Sequence, residues 1–297
     1  MTPLFRLASF SFLAAAAACA ANGPKLERYA EISEKAINES SGIVKSRLWQ
    51  GVYWTHNDSG DEARIFAIDA NGRGIKTEWA EDHDSPFVGI TIAGAVNIDW
   101  EDIAADDQGN LLIGAFGNNG NTRRDLAIYV VPEPNPREQR TTRVRRRIDF
   151  HYPDQTGFPD EADKNFDCEA LFYANDQIYL LTKHRSDDFT KLYRLDQTEP
   201  FVSNPATYLS RFETGDRVTG ADCTPDGQKL AVLTYGSVWV FLKPSDSDDY
   251  LAGEAYRYPL SFKQCEAICW DDENTLLITN EQGGMARLAF DDSWPRD

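Results

Sequence analysis

One pattern recurs five times along the chain and constrains its architecture. A short apolar strand follows a polar residue, a turn leads to a second apolar strand, and a polar loop leads to a third. The clearest copy contains Asp167–Tyr173, Ile178–Lys183 and Lys191–Leu195. Short strands that repeat about every 40–50 residues are typical of a β-propeller, because each repeat is a small sheet that buries its faces only against its neighbours. The sequence therefore predicts an all-β propeller.

The strand count predicts five blades and the way in which the ring closes. The last repeat ends near Phe290 after three strands, and Leu26–Ala30 is a strand-like segment ahead of the first repeat. If this segment supplies the outer strand of the last blade, no sheet edge stays open, and residues 25–292 form one domain. A six-bladed ring, with Glu78–Val96 as an irregular extra blade, is the less economical alternative. The other fourth strands are expected at Ile75–Trp79 or Val88–Ile92, Arg145–Phe150, Thr207–Phe212 and Ala255–Leu260.

The N-terminus has the pattern of an export signal over residues 1–20. Arg6 supplies a positive charge, and the apolar run Leu7–Ala18 is too short to span a bilayer. Two cleavage patterns compete: Ala18-Cys19-Ala20 fits release of a soluble protein, and Ala16–Cys19 resembles a bacterial lipobox, which we favour slightly. We expect an exported protein, either a periplasmic or outer-envelope lipoprotein or a secreted one, whose contact with a membrane would be through a lipid on Cys19.

The charge balance excludes one class of partner. The chain has 48 acidic and 30 basic residues and a net charge of −18. Nucleic acid is not an expected partner, because a phosphate backbone requires a basic surface. The basic run Arg143–Arg147 alternates with apolar residues, so it is interpreted as a solvated outer strand rather than a binding patch.

Four cysteines follow the signal: Cys168, Cys223, Cys265 and Cys269. An even number of cysteines outside the cytoplasm makes disulfides an alternative. Cys265 and Cys269, however, lie four residues apart on one strand, roughly 13 Å at the rise of a strand, which is too far to bridge. Buried free thiols are the favoured interpretation.

Alignment of the five repeats reveals a position that always carries a side-chain oxygen. In a propeller the first strands surround the axis, so one such residue per blade converges on a central channel. Crowded carboxylates repel one another, and a cation relieves that repulsion; an all-oxygen shell suits calcium before magnesium. The alternative is that these acids individually contact channel water or cap strand ends. The five predicted metal ligands, which we call the ring residues, are Ser41, Glu101, Glu169, Thr219 and Glu266.

The loops after the second strands are expected to open on the same mouth as the ring residues. Asp58 and His184 are the acid–base candidates there. Basic residues in an acidic chain suit a phosphate or carboxylate ligand. The alternative is that the Asn and Asp residues of these loops cap turns. The predicted binding residues are His56, Asn57, Asn118, Asn119, Arg124, Lys183 and Arg185.

Several of these segments resemble a family of exported bacterial propellers of unassigned function. The resemblance is in Glu39–Gly42, His56–Asp61, Asp99–Ala104 and Asp167–Leu171. More distantly, the order of the ring residues is similar to that of the calcium-activated nucleotidases (apyrases), five-bladed propellers that hold calcium in the central channel and hydrolyse nucleoside di- and triphosphates. This resemblance implies that the ring residues form a calcium shell and that Asp58 lies near the attacking water.

Together these patterns predict an exported propeller with a central divalent cation, calcium, that hydrolyses phosphate or related esters. Asp58 would orient the water, while Arg124, Lys183 and Arg185 would hold an anionic small molecule. The alternative is a non-catalytic binding or scaffold propeller of the envelope, with an unknown envelope partner and a structural ion, because propellers host both kinds of function.

Overall fold

The computed structural model of the chain describes residues 25–291 and 293–296 and is almost entirely β-sheet. One short helix, α1 (Glu78–Asp82), and one 3-10 turn (Tyr250–Ala252) accompany the strands. The strands are β1 (Glu27–Glu31), β2 (Ser40–Lys45), β3 (Tyr53–Asn57), β4 (Arg64–Ile68), β5 (Ile90–Ala93), β6 (Ile103–Ala105), β7 (Asn110–Ala115), β8 (Ala127–Pro132), β9 (Thr141–Arg143), β10 (Arg146–His151), β11 (Asp167–Ala174), β12 (Gln177–Lys183), β13 (Phe189–Leu195), β14 (Ser203–Pro205), β15 (Thr207–Glu213), β16 (Val218–Cys223), β17 (Lys229–Thr234), β18 (Ser237–Leu242), β19 (Glu254–Pro259), β20 (Cys265–Trp270), β21 (Thr275–Asn280) and β22 (Gly284–Ala289).

These strands form five sheets, which are the five blades of a β-propeller. In order around the ring, the sheets are β2-β3-β4-β5-β9, β6-β7-β8-β10-β14, β11-β12-β13-β15, β16-β17-β18-β19 and β20-β21-β22-β1. The first strands β2, β6, β11, β16 and β20 each contact the next, and β20 contacts β2, so the ring is closed. The predicted five-bladed fold is confirmed.

The N-terminal strand closes the last blade as predicted. Strand β1 pairs antiparallel with β22, from Glu27 opposite Arg287 to Glu31 opposite Gly284. The Arg287 guanidinium lies 4.3 Å from the centre of the Tyr29 ring, which fastens the two strands side by side. The first and last segments of the propeller are therefore held together by a complete strand pairing.

The hydrophobic core is divided into five clusters, and each cluster lies between two adjacent blades. Trp54 and Trp100 lie fully buried between the first and second blades. Between the third and fourth, Phe172 and Tyr179 stack with ring centres 4.7 Å apart, and the edge of Tyr250 closes on both. Because each blade presents apolar side chains on both faces, no blade can bury its own core without its neighbours.

The outer strand of the first blade differs from one of the two expectations. Residues Ile75–Trp79 do not form a strand, because Thr77 caps the start of α1 by accepting a hydrogen bond from the Ala80 N–H. The outer strand is β5, close to the alternative Val88–Ile92. Since this region contributes α1 and β5 to the first blade, the six-bladed alternative was wrong.

Two blades carry a fifth strand that the sequence did not indicate. Strands β9 and β14 pair in parallel with the outer strands β5 and β10, respectively. Both additions are three residues long, too short to show any periodicity. They cover the outer edges of the first two blades.

Cys168, Cys223, Cys265 and Cys269 are buried free thiols, as the spacing favoured. The predicted signal over residues 1–20, including Cys19, lies outside the described residues. Within the described part of the chain, no helix has the length and apolar character needed to cross a membrane.

Candidate functional site

Each ring residue lies at a β-bulge, where the first strand of a blade carries one residue more than the second. Ser41, Glu169, Thr219 and Glu266 are the extra residues where the pairing register shifts. In the second blade, the Glu101 N–H donates to Gly114 O, and the Gly114 N–H donates to Asp102 O. A bulge interrupts the alternation of side chains and redirects one of them. The blades are therefore equivalent at this position.

The ring residues meet at a central cavity of about 310 Å³. Ser41, Glu101, Glu169 and Glu266 line it, whereas Thr219 does not. Other oxygen-bearing side chains, among them Glu39, complete a strongly acidic wall. The full lining is Glu39, Ser40, Ser41, Asp58, Ser59, Glu101, Asn119, Glu169, Lys183, Tyr235, Glu266 and Glu281.

The two hydroxyl members of the ring join neighbouring blades. Ser41 Oγ donates to the backbone oxygen of Glu101 at 2.8 Å, and Thr219 Oγ1 donates to that of Cys265 at 2.9 Å. Each bond crosses from one blade to the next. These hydroxyls thus position the acidic residues, and Thr219 does so from outside the cavity.

On one side of the cavity a lysine neutralises a ring carboxylate. Lys183 Nζ lies 2.9 Å from Glu169 Oε2, and both side chains are more than nine-tenths buried. Burial alone would lower the pKa of Lys183, but Glu169 holds it above its ordinary value, so the amine stays charged. Burial and Asp167 raise the pKa of Glu169, and Lys183 opposes that shift. Lys183, a predicted binding residue for an anionic ligand, is thus an internal counter-charge of Glu169.

Glu266 lines the cavity together with Lys183, Tyr235 and Glu281, and all three influence its carboxylate. Burial raises the pKa of Glu266 to about 7, although the positive charge of Lys183 by itself would lower that pKa. Lys183 Nζ is 5.3 Å from the centre of the Tyr235 ring, a cation–π contact that fixes the ammonium near both glutamates. One positive charge therefore serves two ring carboxylates.

Three carboxylates cluster beside the cavity, and none of them forms an ion pair with a lysine or arginine among the described residues. Asp58, Asp99 and Glu101 each place an oxygen within 4.8 Å of the other two. The Glu101 side chain is 6% exposed and has no hydrogen-bond or ion-pair partner among the described residues. Burial and the Glu169 carboxylate raise the pKa of Glu101, and burial raises that of Asp58 and of Asp99. We call these three residues the acidic triad.

Local geometry makes room for the acidic triad. Asp99 has a φ of +64°, a left-handed backbone conformation that turns its side chain toward Glu101. A Cβ atom on Gly117 would collide with the Glu101 carboxylate and lie 2.7 Å from Asp99 Cγ, so only glycine fits there. Asp58 extends from the end of β3 in the first blade and completes the group. The triad therefore bridges two blades.

The two histidines lie away from the cavity. His56 is fully buried, its Nδ1 lies 3.1 Å from Asn57 O, and its ring meets the edge of Trp100. Burial lowers the pKa of His56 to about 4 and also lowers that of His184. His184 follows Lys183 in the chain and is buried without lining the cavity. In this arrangement both are neutral near pH 7.

Two of the predicted binding asparagines hold loops together. Asn57 accepts hydrogen bonds from the backbone N–H groups of Asn38 and Glu39. Asn118 is buried and donates to Phe166 O, which ties the second blade to the third. Neither lines the central cavity. Both asparagines therefore have the structural role that the alternative interpretation gives to the Asn and Asp residues of these loops.

The remaining predicted binding residues divide into two groups. Asn119 lines the cavity and accepts a hydrogen bond from Arg185, which also pairs with Asp167. Arg124 is exposed and lies over the ring of Phe158, 3.7 Å from its centre, outside the cavity. Arg185 thus reaches the rim of the site, and Arg124 does not.

Asp102, the residue after Glu101, joins several blades by hydrogen bonds. It is fully buried, and its carboxylate accepts hydrogen bonds from Ile103 N–H, from Leu171 N–H in the third blade and from Ala221 N–H in the fourth. A Cβ on Gly42 of the first blade would lie 2.9 Å from Asp102 Cα. Four blades therefore converge on this one residue.

Sequence reasoning missed Asp99 and Asp102, although both lie in the segment Asp99–Ala104. The position of Asp99 could have indicated it. Asp99 lies two residues before the ring residue Glu101, just as Asp167 lies two residues before Glu169. Asp102 follows Glu101 at a place where the other blades have glycine or alanine. A carboxylate among such small residues indicates a specific set of donors.

Comparison with known proteins shows the fold only. No family model and no curated protein matches the chain. The PQQ-bound aldose sugar dehydrogenase of Streptomyces coelicolor aligns with 90% of this chain and 98% of its own at a TM-score of 0.51 and 9% identity. A putative oxidoreductase (glucose dehydrogenase) of Thermus thermophilus covers 90% of this chain and 100% of its own (TM-score 0.48, 8% identity). A gluconolactonase of Xanthomonas campestris covers 92% of this chain and 91% of its own, at a TM-score of 0.46 and 10% identity. The resemblance to calcium-activated nucleotidases stays a prediction, and the chain is similar to these solved structures in being a β-propeller.

Proposed function

We propose that the protein is an exported, divalent-cation-dependent hydrolase of phosphate or related esters, and that the central cavity is its active site. The supporting observation is the acidic triad of Asp58, Asp99 and Glu101, in which a buried carboxylate has no cationic partner among the described residues. Three carboxylates within 4.8 Å repel one another strongly in a confined space, and a cation relieves that repulsion.

The donor set fits a hard cation. The triad offers only carboxylate oxygens, and Ser41 and Asn119 add neutral oxygens to the cavity wall. Calcium accepts more oxygen ligands and looser geometry than magnesium, so calcium is the preferred ion. Lys183 already pairs with Glu169, a ring residue outside the triad, so the triad is the group of carboxylates that lacks a counter-charge. When bound, such an ion would polarise an ester oxygen and acidify a water molecule.

The residues of the chain supply binding and proton handling around the triad. Asp58 belongs to the triad and also lines the cavity, where its carboxylate would orient the attacking water. Lys183 lines the cavity and Arg185 reaches its rim through Asn119, and both are held by carboxylates. An anionic substrate would therefore depend on the cation for most of its attraction, with Asn119 as a hydrogen-bonding group at the rim.

A non-catalytic envelope propeller with a structural ion is the second candidate function. One observation favours it: Asp58 belongs to the first blade, whereas Asp99 and Glu101 belong to the second, so an ion on the triad would fasten two blades. Removal of a structural ion would lower stability without any turnover to lose.

One experiment separates the two candidates. Nucleotides and phosphoesters would be assayed with calcium or with EDTA, using the wild type, Glu101→Gln and the matched control Glu281→Gln, an acid of the same cavity outside the triad. We expect calcium-dependent turnover that Glu101→Gln lowers at least tenfold and Glu281→Gln leaves nearly unchanged. If calcium raises the melting temperature of the wild type but no substrate is hydrolysed, the structural ion is supported. If calcium neither binds nor stabilises, both candidates fail.

Export belongs to the same proposal and depends on residues 1–20. Expression in a bacterial host followed by fractionation and mass spectrometry of the N-terminus tests it. Retention of the intact N-terminus in the cytoplasm would contradict export, and a diacylglyceryl group on Cys19 would support the lipoprotein pattern.

A further inference from the structure

A second cavity, of about 850 Å³, lies between the second and third blades. It opens beside the turns 106–110 and 174–177, which join first to second strands, so it is on the face opposite the central mouth. It shares no lining residue with the central cavity. We call this second cavity the interblade groove, and an inference about it stands apart from the proposed hydrolase.

The floor of the interblade groove is apolar. Leu112 and Val130 come from the second blade, Ile178 and Leu195 come from the third, and all four are buried. At its lip, Phe201 is 98% exposed and has a φ of +63°. An aromatic ring that is fully exposed beside an apolar floor offers contact area to a ligand.

The acids of the groove are already engaged. Asp149 pairs with Arg147 at 2.8 Å, and Asp176 accepts a hydrogen bond from the Tyr173 hydroxyl. Asp106 accepts bonds from backbone N–H groups of its own turn. These carboxylates therefore have donors within their own turns and strands.

Two arginines of the groove have no carboxylate partner among the described residues. Arg146 Nη1 donates to Thr198 Oγ1 at 3.1 Å, and the nearest acceptor of Arg145 is Asn110 Oδ1 at 3.5 Å. Both line the groove and both are exposed. These two guanidinium groups lie at the groove without an opposing carboxylate, and the guanidinium fork matches carboxylate and phosphate.

We propose that the interblade groove binds an organic anion with an apolar body, such as a fatty acid. Arg145 and Arg146 would hold the carboxylate or phosphate head group, and the hydrocarbon would lie on the apolar floor against Phe201. The volume lies within the range of small-molecule sites, roughly 300–1,000 Å³. Three arginines of the basic run Arg143–Arg147, which the sequence indicated as a solvated strand, line this groove: Arg145, Arg146 and Arg147.

Isothermal titration of the full chain with laurate, below its critical micelle concentration, tests this proposal. Acetate supplies the head group alone, and octyl glucoside supplies an uncharged apolar chain. The test variant is Arg145→Gln/Arg146→Gln. The matched control is Arg143→Gln, which changes an exposed arginine of the same run that does not line the groove. Phe201→Ser changes the lip at a fully exposed position and so preserves folding.

We expect laurate to bind the wild type and Arg143→Gln equally. The double variant should bind laurate at least tenfold more weakly, because it lacks two charge-assisted contacts. Phe201→Ser should bind laurate several-fold more weakly. The proposal is overturned if laurate does not bind to the wild type. It is also overturned if the double variant has the same affinity for laurate as Arg143→Gln. It is also overturned if octyl glucoside or acetate binds as tightly as laurate, because the ligand would then not need both parts.

Discussion

Replacement of Lys183 by methionine tests how the central cavity balances its charge. The substitution keeps most of the side-chain volume and removes the ammonium that lies 2.9 Å from Glu169. At an effective dielectric constant of about 20, two unit charges at that separation attract by roughly 6 kcal/mol before desolvation is counted. Breaking a buried pair by removing one partner typically costs about 3–5 kcal/mol. We expect the free energy of unfolding in EDTA at pH 7 to fall by about that amount.

The same substitution should strengthen the response to calcium. Without Lys183, Glu169 and Glu266 become free carboxylates beside the acidic triad, so the cavity offers more negative charge to a cation. Calcium should therefore raise the melting temperature of Lys183→Met more than that of the wild type. The loss should also be smaller at pH 5, where Glu169 can take up a proton, because burial raises its pKa.

Urea denaturation followed by tryptophan fluorescence measures these differences. Glu169→Gln and the double variant Lys183→Met/Glu169→Gln complete a double-mutant cycle, and we expect a coupling energy of about 2 kcal/mol or more. The double variant should be more stable than Lys183→Met alone, since no unpaired buried charge remains. If Lys183→Met unfolds at the wild-type urea concentration in EDTA, or if the two substitutions are additive, Lys183 is not the internal counter-charge.

Two further predictions concern buried groups that do not line the cavity. His56 has a pKa of about 4 in the folded chain and about 6.5 when unfolded, so the unfolded chain binds the extra proton between these values. Stability should therefore fall as the pH drops from 6.5 to 4, by about 3 kcal/mol from this residue. His56→Gln should remove that part of the slope in urea midpoints measured from pH 4 to 7, and parallel curves would contradict the assignment. Asp102→Asn places an amide NH₂ against at least one of the backbone donors of Ile103, Leu171 and Ala221 and should cost about 2–4 kcal/mol. An unchanged thermal midpoint for Asp102→Asn would refute this account of the axis.

The fold and the registration of the ring residues could be predicted because both follow from a repeated local pattern. A bulge recurs at Ser41, Glu169, Thr219 and Glu266, so counting residues back from the second strand finds the same position in each blade. The closing strand β1 could be predicted for a related reason, since the last repeat lacked one strand. Both inferences depend on spacing along the chain and on no long-range contact.

The chemistry of the cavity could not be predicted in the same way. Whether Lys183 faces a substrate or pairs with Glu169 depends on the path of a long flexible side chain, which the spacing of strands does not determine. His56 begins the polar segment His56–Asp61, yet it lies buried against Trp100 because alternation along β3 turns it away from the mouth. The short parallel strands β9 and β14 could not be predicted because the strands they pair with, β5 and β10, are distant in the sequence.

Asp102 bears on how a ligand would enter the proposed active site. Its carboxylate joins the second, third and fourth blades by three hydrogen bonds, and the side chain is fully buried, so it would block passage of a ligand along the axis at that point. If the cavity has the proposed hydrolase activity, substrate and product would share its mouth, and product should compete directly with substrate in steady-state kinetics.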